Sequence, residues 1–161
     1  MAEIRDINAP EHKAHICNAI LRALPSWFGI EASIIEYGKD TQAMPFWAAF
    51  EGDVPVGFLA LKEHNAYTSE IYVMGVLKEY HRRGIGRELV ACCEGFCRGK
   101  GVEYLTVKTL DASRESLGYA KTRQFYFSAG FRPLEVFPLH WDQSNPCLFM
   151  GKYLGGVLNC V

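Results

Sequence analysis

The sequence predicts one mixed α/β domain in which helices flank a central, mostly antiparallel sheet. Short apolar runs typical of strands alternate with segments whose apolar residues recur every three or four positions, as on one helix face. The chain has 161 residues, which fits one domain, so we assign residues 1–161 to it. Hydrophobic residues make up 49% and aromatic residues 13%, a composition that indicates a packed core rather than disorder.

The first part of the chain contains a strand, two helices and a hairpin. Pro10 opens the first helix and Pro25 ends it, because proline lacks the N–H that a helix interior needs. Gly52-Asp53 separates two apolar runs, which is typical of a hairpin turn. In chain order we place these elements at residues 2–7, 10–24, 31–37, 46–50 and 56–61.

The second part continues with a strand, a helix, a strand, a helix and two closing strands. Gly99 and Gly101 stop the first of these helices, and Gly130 stops the second. A loop at residues 142–146 separates the two closing strands, and residues 155–161 carry no clear signal. In chain order the elements lie at residues 68–76, 85–97, 104–110, 119–129, 131–137 and 147–153.

Residues 76–87 combine several features of an anion-binding loop. They read Val-Leu-Lys-Glu-Tyr-His-Arg-Arg-Gly-Ile-Gly-Arg and lead from a strand into an amphipathic helix. A helix start offers free N–H groups and the positive end of a dipole, and Gly84 and Gly86 let backbone approach a ligand closely. Three arginines add charge: Arg82, Arg83 and Arg87. We predict a phosphate-bearing ligand here, with a solvated turn as the alternative. The spacing fits neither a dinucleotide fingerprint, since Leu89 replaces the third glycine, nor a Walker loop.

Charge and cysteine usage exclude several other classes of protein. The net charge of -1 argues against a general nucleic-acid or membrane surface. The N-terminus carries charges where a secretory signal has its apolar core, and no apolar run approaches the ~18 residues of a membrane span, so we expect a cytoplasmic protein. The six cysteines form no Cys-x-x-Cys pair and no zinc-finger spacing, so we expect reduced thiols and no metal.

Two segments resemble motifs of the GNAT superfamily of N-acetyltransferases. Residues 76–86 are similar to its pyrophosphate-binding loop, Gln/Arg-x-x-Gly-x-Gly/Ala, with His81 at the first position. Residues 122–131, Thr-Arg-Gln-Phe-Tyr-Phe-Ser-Ala-Gly-Phe, resemble its helix ending in Phe-Tyr-x-x-x-Gly-Phe. The two motifs occur in the family's order. The resemblance implies a sheet that splays open between its fourth and fifth strands.

The resemblance also implies acetyl-CoA as co-substrate. Backbone N–H groups of residues 81–87 would hold its phosphates. Gly75, inside a strand, suggests a bulge that frees N–H groups for the thioester and pantetheine, or else close packing against a helix. Tyr119 stands where the family often has an asparagine near the pantetheine, and its hydroxyl can hydrogen-bond instead. The candidate coenzyme ligands are Met74, Gly75, Val76, His81, Arg82, Arg83, Gly84, Ile85, Gly86, Arg87 and Tyr119.

Two residues are the catalytic candidates. The resemblance places a catalytic tyrosine at Tyr126, where it would stabilise the departing thiolate; the alternative is a core aromatic. Some family members have a general-base glutamate at the place of Glu70, whose alternative is a surface charge or an anchor for the acceptor. His64 and His140 are other candidates for the base.

The acceptor side offers aromatic and acidic residues, which suit an amine through cation–π contact and charge pairing. The candidate acceptor contacts are Trp27, Phe28, Glu31, Trp47 and Trp141. We therefore expect direct transfer of an acetyl group to a primary amine of a small molecule in a ternary complex. A non-catalytic acyl-CoA sensor and transfer of a longer acyl chain are the alternatives. Residues 147–153 and the apolar tail are a possible homodimer contact, by analogy alone.

Overall fold

A computed structural model of the chain describes residues 2–155. Seven strands form one mixed sheet with the spatial order β1-β2-β3-β4-β5-β7-β6, in which β4 runs parallel to β5. The strands are β1 Glu3–Asp6, β2 Phe46–Glu51, β3 Val54–Glu63, β4 Thr68–Val76, β5 Tyr104–Leu110, β6 Arg132–Asp142 and β7 Asn145–Tyr153. The α-helices are α1 Pro10–Arg22, α2 Glu31–Asp40, α3 Ile85–Gly99 and α4 Leu117–Ser128.

The structure confirms the fold class and the order of the predicted elements. Two bounds differ appreciably. Helix α2 extends to Asp40, three residues beyond the predicted end. The predicted loop at residues 142–146 is wrong, because β6 continues to Asp142 and β7 begins at Asn145. Asp142 explains the tight turn: its Oδ1 accepts from the Ser144 backbone N–H at 2.8 Å and from Asn145 Nδ2 at 3.0 Å.

The described chain packs as two compact units. The first holds the chain up to Glu63 together with Ile71–Phe96, and the second holds His64–Glu70 together with the chain from Cys97 onward. The chain therefore passes from one unit to the other inside β4. The predicted splay between β4 and β5 stays a prediction.

The first unit has a core in which α1 covers β2 and β3. The buried face of α1 carries Ile16, Ile20 and Leu21. The rings of Phe46 on β2 and Phe58 on β3 stack at 5.3 Å between centroids. The register of β2 against β3 is antiparallel and shifts at Ala49/Phe50, just before the Gly52 turn, whose positive φ of 62° suits glycine.

The second unit is built on the antiparallel ladder β5-β7-β6. β7 pairs on both sides, so the segment 147–153 is not a free sheet edge. β6 ends the strand order instead, and most of its residues are exposed. The predicted tail, residues 156–161, lies outside the described residues.

The helices in residues 2–155 all lack the combination of length and apolar character that crossing a membrane demands. Over the same residues, the structure brings together no group of three or more His, Cys, Asp or Glu side chains that could hold a metal ion.

Candidate functional site

The loop between β4 and α3 leads into a helix start, as the sequence predicted. Lys78–Tyr80 form one 3₁₀ turn, after which Arg82 and Gly84 adopt positive φ angles of 64° and 80°. Helix α3 then begins at Ile85. Its first-turn N–H groups have no helix carbonyl within reach, so they point out of the helix start toward any ligand there.

His81 closes this loop rather than extending it toward a ligand. Its Nε2 lies 2.7 Å from the carbonyl oxygen of Val76, and since a carbonyl only accepts, Nε2 carries the proton. Its ring also meets the edge of Trp27 at 5.8 Å. The backbone N–H of His81 donates to the Lys78 carbonyl at 3.2 Å. This N–H is therefore engaged within the loop, and its role in binding phosphate stays a prediction.

The three arginines of the loop are exposed. The guanidinium of Arg83 lies over the ring of Tyr80, 4.9 Å from its centroid, which limits the directions in which that side chain points. Positive charge and a helix start therefore coincide over six residues, the arrangement that favours a polyanion.

Packing accounts for the glycine near the end of β4. A Cβ on Gly75 would lie 3.0 Å from Leu24 Cδ1 and 3.3 Å from Ile20 Cγ2, so the glycine admits α1. The bulge expected here stays a prediction. Gly57, which sequence reasoning did not single out, is as closely packed: its Cβ would lie 3.2 Å from Val76 Cγ2 and 3.3 Å from the Gly75 carbonyl oxygen. Gly57 on β3 and Gly75 on β4 thus allow close packing beside the start of the loop.

Tyr126 lies in the second unit on α4, with only 5% of its surface exposed. Its ring meets Phe125 at 5.4 Å and Phe131 at 5.6 Å, edge to face. Burial, assisted by the neighbouring Tyr119, raises the pKa of its phenol, so the hydroxyl keeps its proton. Among residues 2–155 the hydroxyl has no hydrogen-bond partner. The hydroxyl is therefore a protonated donor, and its role toward a ligand stays a prediction.

Ser116 and Gly130 set the two ends of α4. The Ser116 side chain accepts from the Tyr119 backbone N–H at 3.3 Å, a standard N-cap. Gly130 has a positive φ of 101°, which stops the helix. Tyr119 and Tyr126 are seven residues, or about two turns, apart and share one helix face.

Glu70 also belongs to the second unit, and its carboxylate is already engaged. Its side chain is 6% exposed. Lys108 Nζ donates to both carboxylate oxygens at 3.1 Å, and His64 Nε2 lies 2.7 Å from Oε1. Lys108 was not expected from the sequence, because it is 38 residues away and only the pairing of β5 beside β4 brings it close.

An aromatic and acidic cluster lies in the first unit. Phe28 meets Tyr37 edge-on at 6.1 Å, and Tyr37 meets Tyr72 at 5.5 Å. The Tyr72 hydroxyl donates to Asp40 Oδ2 at 2.6 Å. Burial, followed by this hydrogen bond, raises the pKa of Tyr72, so it stays a neutral donor. Tyr72 and Asp40 were not predicted as acceptor contacts, because they are 32 residues apart in the chain.

The other predicted acceptor contacts are dispersed. Glu31 is exposed and pairs with Arg22, whose hydrogen bond at 2.6 Å lowers the pKa of the carboxyl. Trp47 is 6% exposed and packs edge-on against Phe96 at 5.4 Å, so it is a core residue with little surface for a substrate. Trp141 lies on β6 in the second unit, 44% exposed, beside His140.

Comparison with known proteins decides the family. A sequence model of the acetyltransferase (GNAT) family matches residues 4–131, which include both the loop and Tyr126. The chain belongs to the GNAT acetyltransferase family. The mixed seven-stranded sheet flanked by helices agrees with the fold of this family.

A relative with a similar sequence is the uncharacterized N-acetyltransferase YsnE of Bacillus subtilis (strain 168). It is 29% identical over 109 residues, which cover 68% of this chain and 69% of YsnE.

Solved GNAT structures are similar in fold. A crystal structure of a GNAT-family acetyltransferase from Desulfovibrio desulfuricans superposes with a TM-score of 0.80, covering 96% of this chain and 100% of that one, at 20% identity. An aminoglycoside 6'-N-acetyltransferase complexed with coenzyme A gives a TM-score of 0.76 at 18% identity, covering 95% and 97%. At these identities the likeness concerns the fold alone.

Proposed function

We propose that this GNAT protein transfers the acetyl group of acetyl-CoA to a primary amine of a small molecule. The observation that carries the proposal is the loop at residues 82–87, where positive φ angles, a helix start and three exposed arginines coincide. Membership of an acetyltransferase family supports the reaction class. The coenzyme A bound by the aminoglycoside acetyltransferase of similar fold supports the co-substrate. We propose that residues 1–161 work as one such domain.

The phosphates would bind at the start of α3. Backbone N–H groups from Arg82 to Arg87 would donate to the pyrophosphate oxygens, with the arginine side chains adding charge-assisted bonds. Met74 and Val76, half-buried at the end of β4, would flank the pantetheine arm. Tyr119, on α4, stays a candidate pantetheine ligand. His81 would act indirectly, by holding the loop closed.

Tyr126 would stabilise the leaving group. The amine nitrogen attacks the thioester carbonyl carbon, the C–N bond forms, the C–S bond breaks and coenzyme A leaves as a thiolate. Reference pKa values of about 10 for a phenol and about 8.5 for a thiol make full proton transfer from tyrosine uphill by ~2 kcal/mol in water. Burial raises the pKa of Tyr126 further. Its role is therefore a hydrogen bond that strengthens as charge develops on sulfur.

The cysteines support direct transfer over an acyl-cysteine intermediate. Burial raises the pKa of Cys17 to about 12 and that of Cys147 to about 11. Burial also raises the pKa of Cys92, and Cys93 and Cys97 have no exposed surface. A thiolate is the nucleophilic form, and in residues 2–155 these thiols hold their protons or lack access. Attack by the amine within a ternary complex needs none of them.

The aromatic and acidic cluster of Phe28, Tyr37, Tyr72 and Asp40 is our candidate for amine recognition in the first unit. Ring faces attract an ammonium group, and the Asp40 carboxylate supplies opposite charge. Trp27 and Glu31 lie next to this cluster in sequence and stay candidates, as does Trp141 in the second unit. Trp47 is left out because of its burial.

We also propose a homodimer, with the second copy packed on β6. This strand ends the sheet order and exposes three aliphatic side chains, Leu134, Val136 and Leu139. Apolar groups gathered at one sheet margin are typical of protein contacts.

Calorimetric titration tests the proposed co-substrate without any acceptor. Acetyl-CoA should bind with micromolar Kd, 3'-dephospho-acetyl-CoA more weakly, and acetylated pantetheine with at least about 100-fold loss, because the phosphate contacts carry the affinity. Equal binding of all three would contradict the loop assignment.

Turnover is then measured on spermidine, kanamycin A and an alanine-terminated peptide. Binding with no turnover on any amine would favour an acyl-CoA sensor, and faster turnover of octanoyl-CoA would favour a longer acyl chain.

A further inference from the structure

The second unit contains an ordered charged cluster that the thiolate chemistry does not use. It consists of His64 in the turn before β4, Glu70 on β4 and Lys108 on β5. Hydrogen bonds close the turn that carries His64: the His64 backbone N–H donates to the Thr68 carbonyl at 3.1 Å. Asn65 Oδ1 accepts from two further N–H groups of that turn. His64 is therefore held in place from both its backbone and its ring.

Within the cluster, Glu70 is the inner member. It is nearly buried, and Lys108 Nζ spans both of its oxygens at 3.1 Å. A carboxylate fixed in this way does not rotate freely toward an incoming ammonium group. It is well placed to accept a hydrogen bond from a neighbour and to hold that neighbour's orientation.

His64 is the outer member, with its side chain 34% exposed. Its Nε2 lies 2.7 Å from Glu70 Oε1. An ionised carboxylate only accepts hydrogen bonds, so Nε2 is the ring nitrogen that carries the proton. In the neutral imidazole the lone pair then sits on Nδ1, which has no partner among the residues that the structure describes. A carboxylate behind an imidazole with its far nitrogen open is the arrangement of a general base and its positioning group.

We propose that His64, and not Glu70, accepts the proton of the acceptor amine. This inference rests on the proposed function. His64 Nδ1 takes one proton from R–NH₃⁺, leaving the neutral amine that attacks the thioester, and later releases it to water. When the C–N bond forms and the C–S bond breaks, the second proton on nitrogen ends on the thiolate sulfur. Glu70 is a positioning residue that accepts from Nε2 and so selects the tautomer, and Lys108 holds the Glu70 carboxylate in place.

The test combines three variants with one spectroscopic measurement. His64→Ala should lower kcat by about 100-fold or more on whichever of the three amines is a substrate, because general-base catalysis contributes about 10²–10⁴-fold. The Kd of acetyl-CoA should stay unchanged. Added imidazole should restore part of the rate to His64→Ala, which a purely structural defect would not allow. Glu70→Gln should lower kcat less, by about 10-fold, since the amide still accepts from Nε2. His15→Ala, an exposed histidine of α1, is the matched control and should behave as wild type.

Nitrogen-15 NMR of the wild-type protein provides a readout that needs no substrate. The neutral His64 ring should show a protonated Nε2 and a bare Nδ1, and Glu70→Gln should weaken that preference. A protonated Nδ1 would overturn the assignment, as would full activity of His64→Ala. A wild-type protein that acetylates none of the amines would instead contradict the proposed function, and the assignment of His64 as the base would then be rejected too.

Discussion

At the scale of single residues, burial keeps the Tyr126 hydroxyl protonated. In water a phenol is a weak acid, but between Phe125 and Phe131 its ionised form is disfavoured and its pKa is raised. The hydroxyl therefore stays protonated through and beyond the ordinary phenol pKa of about 10. This residue is a permanent hydrogen-bond donor, which is what a developing thiolate requires.

Tyr126→Phe should lower kcat by about 100-fold and leave the Kd of acetyl-CoA nearly unchanged, because the lost hydrogen bond matters most when sulfur carries charge. Steady-state kinetics on the responsive amine and calorimetry measure the two effects separately. Tyr104→Phe, an exposed tyrosine on β5, is the control. Unchanged turnover in Tyr126→Phe would remove this residue from the mechanism.

Wild-type turnover should not fall between pH 8 and pH 10 through ionisation of Tyr126, since its raised pKa lies above that window.

At the scale of elements, the start of α3 and the loop before it form the proposed phosphate site. Gly84 takes a backbone conformation that other residues rarely adopt, with φ at 80°. Gly86 follows in the first turn of α3, where N–H groups are free. The same helix carries Gly95 at an exposed position, where an added Cβ would have no atom within 4 Å. Substitutions at Gly86 and Gly95, both in α3, therefore distinguish a loss of ligand binding from a loss of helix stability.

Gly86→Glu should abolish measurable binding of acetyl-CoA, because the new side chain brings bulk and negative charge to the phosphate site. Gly95→Glu adds the same charge to the same helix and should bind acetyl-CoA as wild type does. Calorimetry gives both affinities, and circular dichroism checks that both variants fold. Retained affinity in Gly86→Glu would mean that the anion site lies elsewhere.

At the scale of the whole molecule, the position of β6 in the sheet order is what exposes an apolar surface. β7 has a strand on each side, so we place the proposed dimer contact on β6 rather than at residues 147–153. Leu139, at 68% exposure, is the most exposed of its aliphatic side chains. A second copy would remove this surface from water.

Leu139→Glu should convert a dimer into a monomer, because a carboxylate buried in an apolar contact loses its hydration without gaining a partner. Light scattering after size-exclusion chromatography, over a range of protein concentrations, measures the mass. Leu117→Glu places the same charge at an exposed position on α4 in the same unit and should leave the mass unchanged. A wild-type protein that is monomeric at every concentration would contradict the dimer.

Sequence reasoning located the strands and helices well because each depends on residues close together in the chain. The interval Thr68–Val76 for β4 agrees with its prediction at both ends, and so does Tyr104–Leu110 for β5. The sequence prediction was wrong at the β6–β7 connection, where hydrogen bonds to the Asp142 side chain form a tight turn instead of the predicted loop. It also left the packing and bulge interpretations of Gly75 side by side. The positions of Leu24 and Ile20, which only the structure gives, support the packing interpretation, and the bulge stays a prediction.

The amino-acid sequence was enough to predict the phosphate loop, since glycines, arginines and a helix start are neighbours along the chain. It was also enough to single out Tyr126, through a motif of seven consecutive residues. The environment of Glu70, in contrast, came from the fold. Its partner Lys108 is 38 residues away, and the pairing of β4 with β5 brings the ammonium to both carboxylate oxygens. Charge partners across strands depend on register, which a list of residues does not contain, so the shift of the proposed base from Glu70 to His64 required the folded structure.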